Sequence, residues 1–357
     1  RGLPPRHGGF ETFAGHLAPY LAERGWRVRV YCQRSAAEVA GQPNHWRGVQ
    51  LDSVAARDGS FGSIMFDWIS LRRASNLPGP ALIFGYNTAL LNELLRQKDK
   101  PFIVNMDGVE WKRRKWSAPA KVWLRVNETI ALRRANYVIA DHPAIAEHLQ
   151  PSGTNHRLTM IPYGSDRVDA ADPDLLHPFG LLPGRFATII ARPEPENSIL
   201  EMVRTFSQRK RHGLLALIGQ YSTDNSYQRS ILQAASNQVS FLGPIYDPKV
   251  VESLRFHSAF YMYGHTVGGT SPTLVEALGA GCTALCLDTP YSRWVAGESG
   301  RYFTTNAQAD RLIDELFDRS EVDRTRSREQ AYQRFESDFT WTKVLGQYED
   351  LLLKVSA

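Results

Sequence analysis

The stretch Gly264-His265-Thr266-Val267-Gly268-Gly269-Thr270-Ser271-Pro272-Thr273-Leu274-Val275-Glu276-Ala277-Leu278-Gly279-Ala280-Gly281 decides how this chain reads. It follows Ala259-Phe260-Tyr261-Met262-Tyr263, an apolar run that predicts a buried strand. A glycine-rich turn then leads into a helix with Pro272 near its first turn. Such a helix start carries unpaired backbone N–H groups and the positive end of the dipole, so it suits a phosphate. Glu276 is expected on the first turn or so, where a carboxylate can accept from a sugar hydroxyl. An ordinary strand-to-helix connection is the alternative, since glycine motifs match by chance.

Working outward, short apolar runs alternate with helical patterns on both sides of this stretch. In the first half, strands are predicted at 27–32, 49–54, 81–86, 102–107, 137–141 and 158–162, and helices at 10–25, 63–74, 87–97, 118–135 and 143–149. The second half repeats the alternation, with strands at 186–191, 214–219, 239–242, 258–263 and 283–287. Its helices are predicted at 197–208, 226–235, 247–255, 272–280 and 307–317. Near-continuous apolar strands separated by helices imply parallel sheets covered on both faces. A chain of 357 residues suits two such domains. The expected division is an N-terminal domain over 1–165, a linker over 166–184 rich in Asp and Pro, a C-terminal domain over 185–335, and a closing helix over 336–357. That helix carries Trp341, Val344, Leu345, Tyr348, Leu351, Leu352 and Val355 at helical spacing and is expected to pack back toward the N-terminal domain. The chain opens in the loop Gly2-Leu3-Pro4-Pro5-Arg6-His7-Gly8-Gly9, which normally follows a strand, so a first strand is expected before Arg1.

Composition is that of an ordinary globular protein, 43% apolar and 22% charged. No run of eighteen apolar residues and no secretory signal is seen. Cys32, Cys282 and Cys286 are few, odd in number and mostly inside apolar strands, so reduced, buried thiols of a cytosolic protein are expected rather than a disulfide frame or a zinc site. The net charge of +5 is concentrated: Lys112, Arg113, Arg114, Lys115, Lys121, Arg125, Arg133 and Arg134 stand between Trp111 and Arg134 against the single acid Glu128. With Trp111, Trp116 and Trp123 interleaved, 111–134 suits an anionic membrane surface. A solvated basic helix with inward tryptophans is the alternative. No nucleic-acid motif accompanies the charge.

Two doubly wound domains with a closing C-terminal helix resemble the GT-B architecture. His7-Gly8-Gly9-Phe10-Glu11-Thr12-Phe13, Asn105-Met106-Asp107-Gly108-Val109-Glu110-Trp111-Lys112, Arg192-Pro193-Glu194-Pro195-Glu196-Asn197 and the stretch from Gly264 resemble glycosyltransferase family 4. Within it they are most similar to bacterial rhamnosyltransferase-like members that build capsule and exopolysaccharide. The resemblance implies an α/β GT-B fold, two Rossmann-like domains facing across a cleft. It also implies a retaining, metal-independent glycosyltransferase using a nucleotide diphosphate sugar, with dTDP-rhamnose the candidate donor. The expected acceptor is a saccharide, lipid-linked at the inner face of the plasma membrane, with no cofactor. The sequence departs from the family in three places. Of two glutamates usually seven residues apart, Glu276 matches the second, and Gly268 stands at the first. The loop after Arg192 has no lysine. Asp107 stands where many members place a histidine.

The residues expected to carry the chemistry follow. Arg192, the backbone from Gly269 and Thr270 through Ser271, Pro272 and Thr273 to Leu274, and the Gly8-Gly9 loop would hold the departing diphosphate. For Arg192 the alternative is a surface arginine in a loop. Glu276 would take ribose or deoxyribose hydroxyls, or merely favour the helix dipole. Tyr246 would border the base or simply pack. His265 would bond the transferred sugar or the diphosphate. Asp107 would orient the acceptor or stabilise positive charge on the ring, or else cap the following turn. Glu11 and Glu110 are weaker acceptor-side candidates. Asp172-Pro173-Asp174 imitates a metal-binding Asp-x-Asp, but it lies in the linker and is rejected as a metal site. Two other readings stand beside this one: a sugar-nucleotide 2-epimerase, and a non-catalytic basic protein that binds a polyanion.

Overall fold

The structure is a computed structural model and describes residues 2–5, 8–39, 43–113, 116–150 and 157–356. His7, Arg114 and Lys115 lie outside the described residues. The chain forms two units, Arg1–Gly164 with Trp341–Ala357, and Ser165–Thr340.

The first unit runs α1 (Gly9–Glu23), β1 (Arg29–Arg34), α2 (Ala36–Val39), β2 (His45–Trp46), β3 (Val49–Ala55), α3 (Ser60–Ala74), β4 (Ala81–Phe84), α4 (Glu93–Arg96), β5 (Phe102–Asn105), α5 (Ala118–Arg134), β6 (Tyr137–Ala140), α6 (Pro143–Leu149) and β7 (Leu158–Met160). Its strands form a three-stranded sheet, β1-β3-β2, and a parallel four-stranded sheet, β4-β5-β6-β7. Every residue of β5 is buried, as both faces of a parallel sheet require.

The second unit runs β8 (Phe186–Ile190), α7 (Ile199–Ser207), β9 (Leu214–Ile218), α8 (Ser226–Ala234), β10 (Val239–Gly243), α9 (Pro248–His257), β11 (Phe260–Tyr263), α10 (Pro272–Gly279), β12 (Ala284–Leu287), α11 (Pro290–Ala296), β13 (Arg301–Phe303), α12 (Asn306–Phe317) and α13 (Glu321–Asp338). Its six strands are all parallel in the order β10-β9-β8-β11-β12-β13. Phe260 and Phe317 meet edge to face at 4.9 Å and Phe206 meets Phe317 at 6.4 Å, in a core where all three are buried.

The last helix, α14 (Trp341–Ser356), belongs to the first unit. Its buried stripe of Trp341, Val344, Leu345, Tyr348, Leu351 and Leu352 covers Phe13, Leu17 and Leu21 of α1 and Ile103 and Ile139 of the sheet. The Tyr348 ring lies 4.7 Å from Phe13, and its hydroxyl accepts the Asn105 side-chain N–H at 2.6 Å.

Residues 166–184 do not behave as a linker. Pro173–Phe179 forms a 3₁₀ helix, and Leu176 and Leu181 are fully buried against Phe186 and Leu254 of the second unit. The Asp172 carboxylate caps that helix, accepting the Asp174 N–H at 2.9 Å. Within this stretch Asp172, Pro173 and Asp174 are thus the N-cap and first turn of a packed element.

Cys32, Cys282 and Cys286 are free and buried, exposed by no more than 2%. Burial pushes the Cys282 thiol up to about 11 and those of Cys32 and Cys286 upward as well. The native protein should therefore leave all three unreacted with a thiol-specific chromophore at neutral pH and give all three in denaturant. A rapid stoichiometric reaction of the folded protein would contradict this burial.

Candidate active site

The second unit's chain runs outward from β8 to β9 and β10, then returns to the other side of β8 for β11, β12 and β13. Strand order therefore reverses between β8 and β11, and doubly wound sheets bind ligands outside the carboxyl ends of the strands at such a point. Arg192 stands two residues beyond β8, and the glycine turn from Gly264 leaves β11. The two loops are tied together. The backbone N–H and the hydroxyl of Thr266 both donate to the Glu196 carbonyl, at 2.9 and 3.1 Å. A Cβ at Gly264 would come within 2.7 Å of the Asn197 carbonyl, so glycine is required by the close approach. Buried Tyr261 of β11 donates its hydroxyl to the Ile190 carbonyl at 3.0 Å, which fastens the ends of the adjacent strands. Burial pushes that hydroxyl up to about 12, so it stays protonated as a donor.

Arg192 is exposed. Its backbone is pinned: its carbonyl accepts from the Glu194 N–H and the Asn197 side chain, both at 2.7 Å. Its guanidinium makes no ion pair among the described residues and projects from a fixed loop. Ser198, which ends this loop and caps α7, has φ 50 in the left-handed region. Strain of this kind, of order 1–3 kcal/mol, collects where function fixes the backbone.

Helix α10 begins at Pro272 after the Ser271 cap. Pro272 has no N–H, and the Leu274 N–H turns back to the Ser271 carbonyl at 3.2 Å. Leu274 itself is fully buried and its N–H is engaged in this turn, so of the residues expected to hold a diphosphate it is the least suited. The Ser271 and Thr273 hydroxyls lie 3.2 Å apart at the same tip. His265 is half-buried, its ring 5.9 Å from that of Tyr263, and a Cβ at Gly268 would lie 3.5 Å from it. The histidine ring lies beside Gly268 in the turn.

Glu276 lies on the second turn of α10 rather than the first, so the helix dipole does less for it. Its carboxylate is held by an ion pair with Arg255 of α9, a side chain only 10% exposed, while Glu276 keeps 28% exposure. A carboxylate has about four acceptor sites, so this pair orients Glu276 without exhausting it. Tyr246 follows β10, two strands away from β8, and is 73% exposed. Two groups escaped the sequence reading. Arg255 was hidden because its partner lies on another helix. Glu196 is buried, and its Oε1 has no hydrogen-bond partner among the described residues. The Pro-Glu-Asn run gave no sign that this carboxylate would face inward.

The first unit carries a separate group of residues at the carboxyl edge of its four-stranded sheet. Gly8 caps α1 with φ 113, a conformation that favours glycine, and Gly8 and Gly9 are exposed. The Phe10 ring lies 5.3 Å from Phe84 at the end of β4, which sets the start of α1 at that edge. Glu11 lies on the first turn and is half-buried. Asp107 follows β5, the neighbour of β4, with φ 55, and its N–H donates to the Asn105 side chain at 2.9 Å. Glu110 is buried. Its carboxylate pairs with Arg113 at 2.7 Å and accepts the Trp116 indole N–H at 3.2 Å, so it serves the local structure.

Residues 1–166 match a family described as a domain of unknown function, DUF1972. No curated protein matches the chain by sequence. Solved structures do match it over nearly its full length. Sucrose-phosphate synthase from Thermosynechococcus elongatus is 16% identical with a TM-score of 0.78, over 98% of this chain and 94% of that one. Anabaena HepE in complex with UDP-glucose is 15% identical with a TM-score of 0.77, over 98% and 97%. A glycosyltransferase from Rickettsia africae is 13% identical with a TM-score of 0.71, over 98% and 95%. With its parallel sheets, helix order and these likenesses, the chain has the GT-B fold.

Proposed function

We propose that this chain is a retaining glycosyltransferase that moves a sugar from a nucleoside diphosphate donor to a hydroxyl acceptor. The observation that carries this reading is the pairing of Arg192 with the tip of α10 at the point where strand order reverses between β8 and β11. A guanidinium and oriented backbone N–H groups at one edge suit a pyrophosphate, and fixed donors of this kind stabilise charge that develops on a leaving group. The similarity to HepE, solved with UDP and with UDP-glucose, supports the same ligand class.

In this reading Glu276, oriented by Arg255, accepts from the ribose or deoxyribose hydroxyls, and Tyr246 borders the base. His265 meets the transferred sugar. Attack comes from the face the leaving group departs. The bond from the anomeric carbon to the acceptor oxygen forms as its bond to the phosphate oxygen breaks, and that phosphate oxygen takes the acceptor proton. No protein nucleophile is required. We assign the leaving group's charge to these side chains and N–H groups; in the Asp172-Pro173-Asp174 run the Asp172 carboxylate caps a 3₁₀ helix. Acceptor recognition falls to Asp107 and Glu11. The finer reading is rhamnose from dTDP-rhamnose passed to a lipid-linked saccharide in polysaccharide synthesis, on the cytoplasmic side where such donors are made.

A thermal-shift panel of UDP, dTDP and GDP tests this. One diphosphate at a hundred times its Kd should add about 2.7 kcal/mol to unfolding, a readily measured rise in Tm. No shift with any of the three would remove the donor site. Donor consumption without acceptor would turn the reading toward an epimerase.

A further inference from the structure

Twelve large apolar side chains are exposed among the described residues, and eight of them fall on three adjoining elements of the first unit. On α3 they are Phe61, Ile64, Met65 and Trp68, which recur at helical spacing on one face. On α5 they are Val122, Trp123 and Val126, and Leu90 projects from the 3₁₀ turn Ala89–Asn92 between them. Hydrogen bonds lock these elements together. The Trp123 indole donates to the Asn87 carbonyl at 2.9 Å, the Leu90 N–H to the Asn127 side chain at 2.9 Å, and the Thr88 hydroxyl to Asp67 of α3 at 2.8 Å. The apolar side chains are therefore carried on elements fixed to one another. Their inner side is narrow on α3, where Gly62, Phe66, Ser70 and Leu71 are the buried residues. A helix of a soluble protein normally turns its apolar stripe inward, and a contiguous exposed patch marks an interaction surface.

The charges identify the partner. Arg57, Arg72 and Arg125 are exposed around the patch, and Lys121 is half-buried. The Arg72 guanidinium lies 5.5 Å from the Trp68 ring and that of Arg125 5.3 Å from Trp111. The acids of these helices are engaged elsewhere: Asp67 accepts from Thr88, and buried Glu128 accepts the Trp111 indole and meets His148. Asp58, just before α3, is the exposed acid nearby. Two copies packed through this face would bring like charges together. An anionic bilayer instead meets the cations with lipid phosphates, takes tryptophan at headgroup level and buries the aliphatic side chains just below. We infer that the exposed face of α3, the turn at Leu90 and α5 docks on an anionic lipid surface. The sequence pointed only to 111–134; the structure adds α3, which carries half of the apolar contact residues.

Sedimentation of the whole protein with phosphatidylcholine vesicles, with and without phosphatidylglycerol, tests this. Phosphatidylglycerol should raise partitioning by about tenfold or more, and salt should reverse much of that rise. A variant with both Phe61→Ser and Val122→Ser should keep its Tm, since these side chains are 77% and 65% exposed, and lose at least about tenfold in partitioning. Equal binding to neutral vesicles, no binding to either, or unchanged binding by the double variant would each overturn the inference. So would a dimer of the wild type in sedimentation velocity that the double variant abolishes, because a second copy would then cover the face. None of these readouts uses sugar transfer, so failure of the enzymatic reading leaves a distinct result.

Discussion

Replacing Arg192 with alanine should lower glycosyl transfer by about a hundredfold or more while leaving the protein folded, because loss of one fixed donor to a developing anion costs about 10²–10³ in rate. Two structural facts separate these effects. The guanidinium is exposed and supports no other part of the fold, so its removal should change stability by within about 0.5 kcal/mol. The loop is held by its backbone, through the bonds from Glu194 and Asn197 to the Arg192 carbonyl, and these survive the substitution. Arg192→Lys should recover part of the rate, since a lysine supplies charge without the planar fork. Steady-state kinetics with the donor found in the nucleotide panel, beside a thermal melt, checks both halves. Full activity in Arg192→Ala would take the residue out of the mechanism.

The second large effect is on stability. Arg211 has a completely buried side chain that joins α7 to α12. It donates to the Phe206 carbonyl at 3.0 Å and to the Thr205 carbonyl at 2.7 Å in the last turn of α7, where the Thr205 carbonyl also accepts the Gln208 N–H at 3.4 Å. It also bonds Asp314 at 2.8 Å and pairs with Asp310, both on α12. Arg211→Met keeps the bulk but takes the donor from the Phe206 carbonyl, leaves Thr205 with the Gln208 N–H alone, and releases two carboxylates. Breaking such a network by removing one partner costs about 3–5 kcal/mol. Arg209 bonds the same two aspartates, at 2.7 and 2.8 Å, which favours the lower end. At 2–4 °C per kcal/mol for a domain of this size, Tm should fall by about 10 °C. A melt within a degree or two of wild type would show that the network contributes nothing net.

Periodicity exposed the strands because their apolar runs are short and bounded by turn residues. β5 and β11, buried along their whole length, were legible from Phe102-Ile-Val-Asn105 and Phe260-Tyr-Met-Tyr263 alone. Helix α13 was not. It buries only Ser327, Ala331 and Phe335 among eighteen residues of which nine are charged, too few apolar positions to set a period. The stretch before β8 was misread because Pro and Asp favour loops and helix starts alike. In the candidate site, the residues legible in advance are those whose chemistry depends on local sequence, such as Arg192 after a strand and the glycine turn before α10. Arg255 and Arg211 act through carboxylates far along the chain, on α10 and α12, and no local pattern reports them. Glu110 looked like a site residue for the converse reason: the sequence did not reveal that Arg113 and Trp116 would occupy its carboxylate.

The placement of α14 has a consequence for biosynthesis. Ser165–Thr340 is continuous and can complete its sheet while the ribosome is still extending the chain. The earlier-synthesised half must wait for Trp341 to Leu352 to emerge before Phe13, Ile103 and Ile139 gain their cover. The portion made first is therefore the last to mature, and during that interval its uncovered apolar surface is open to chaperones and to aggregation.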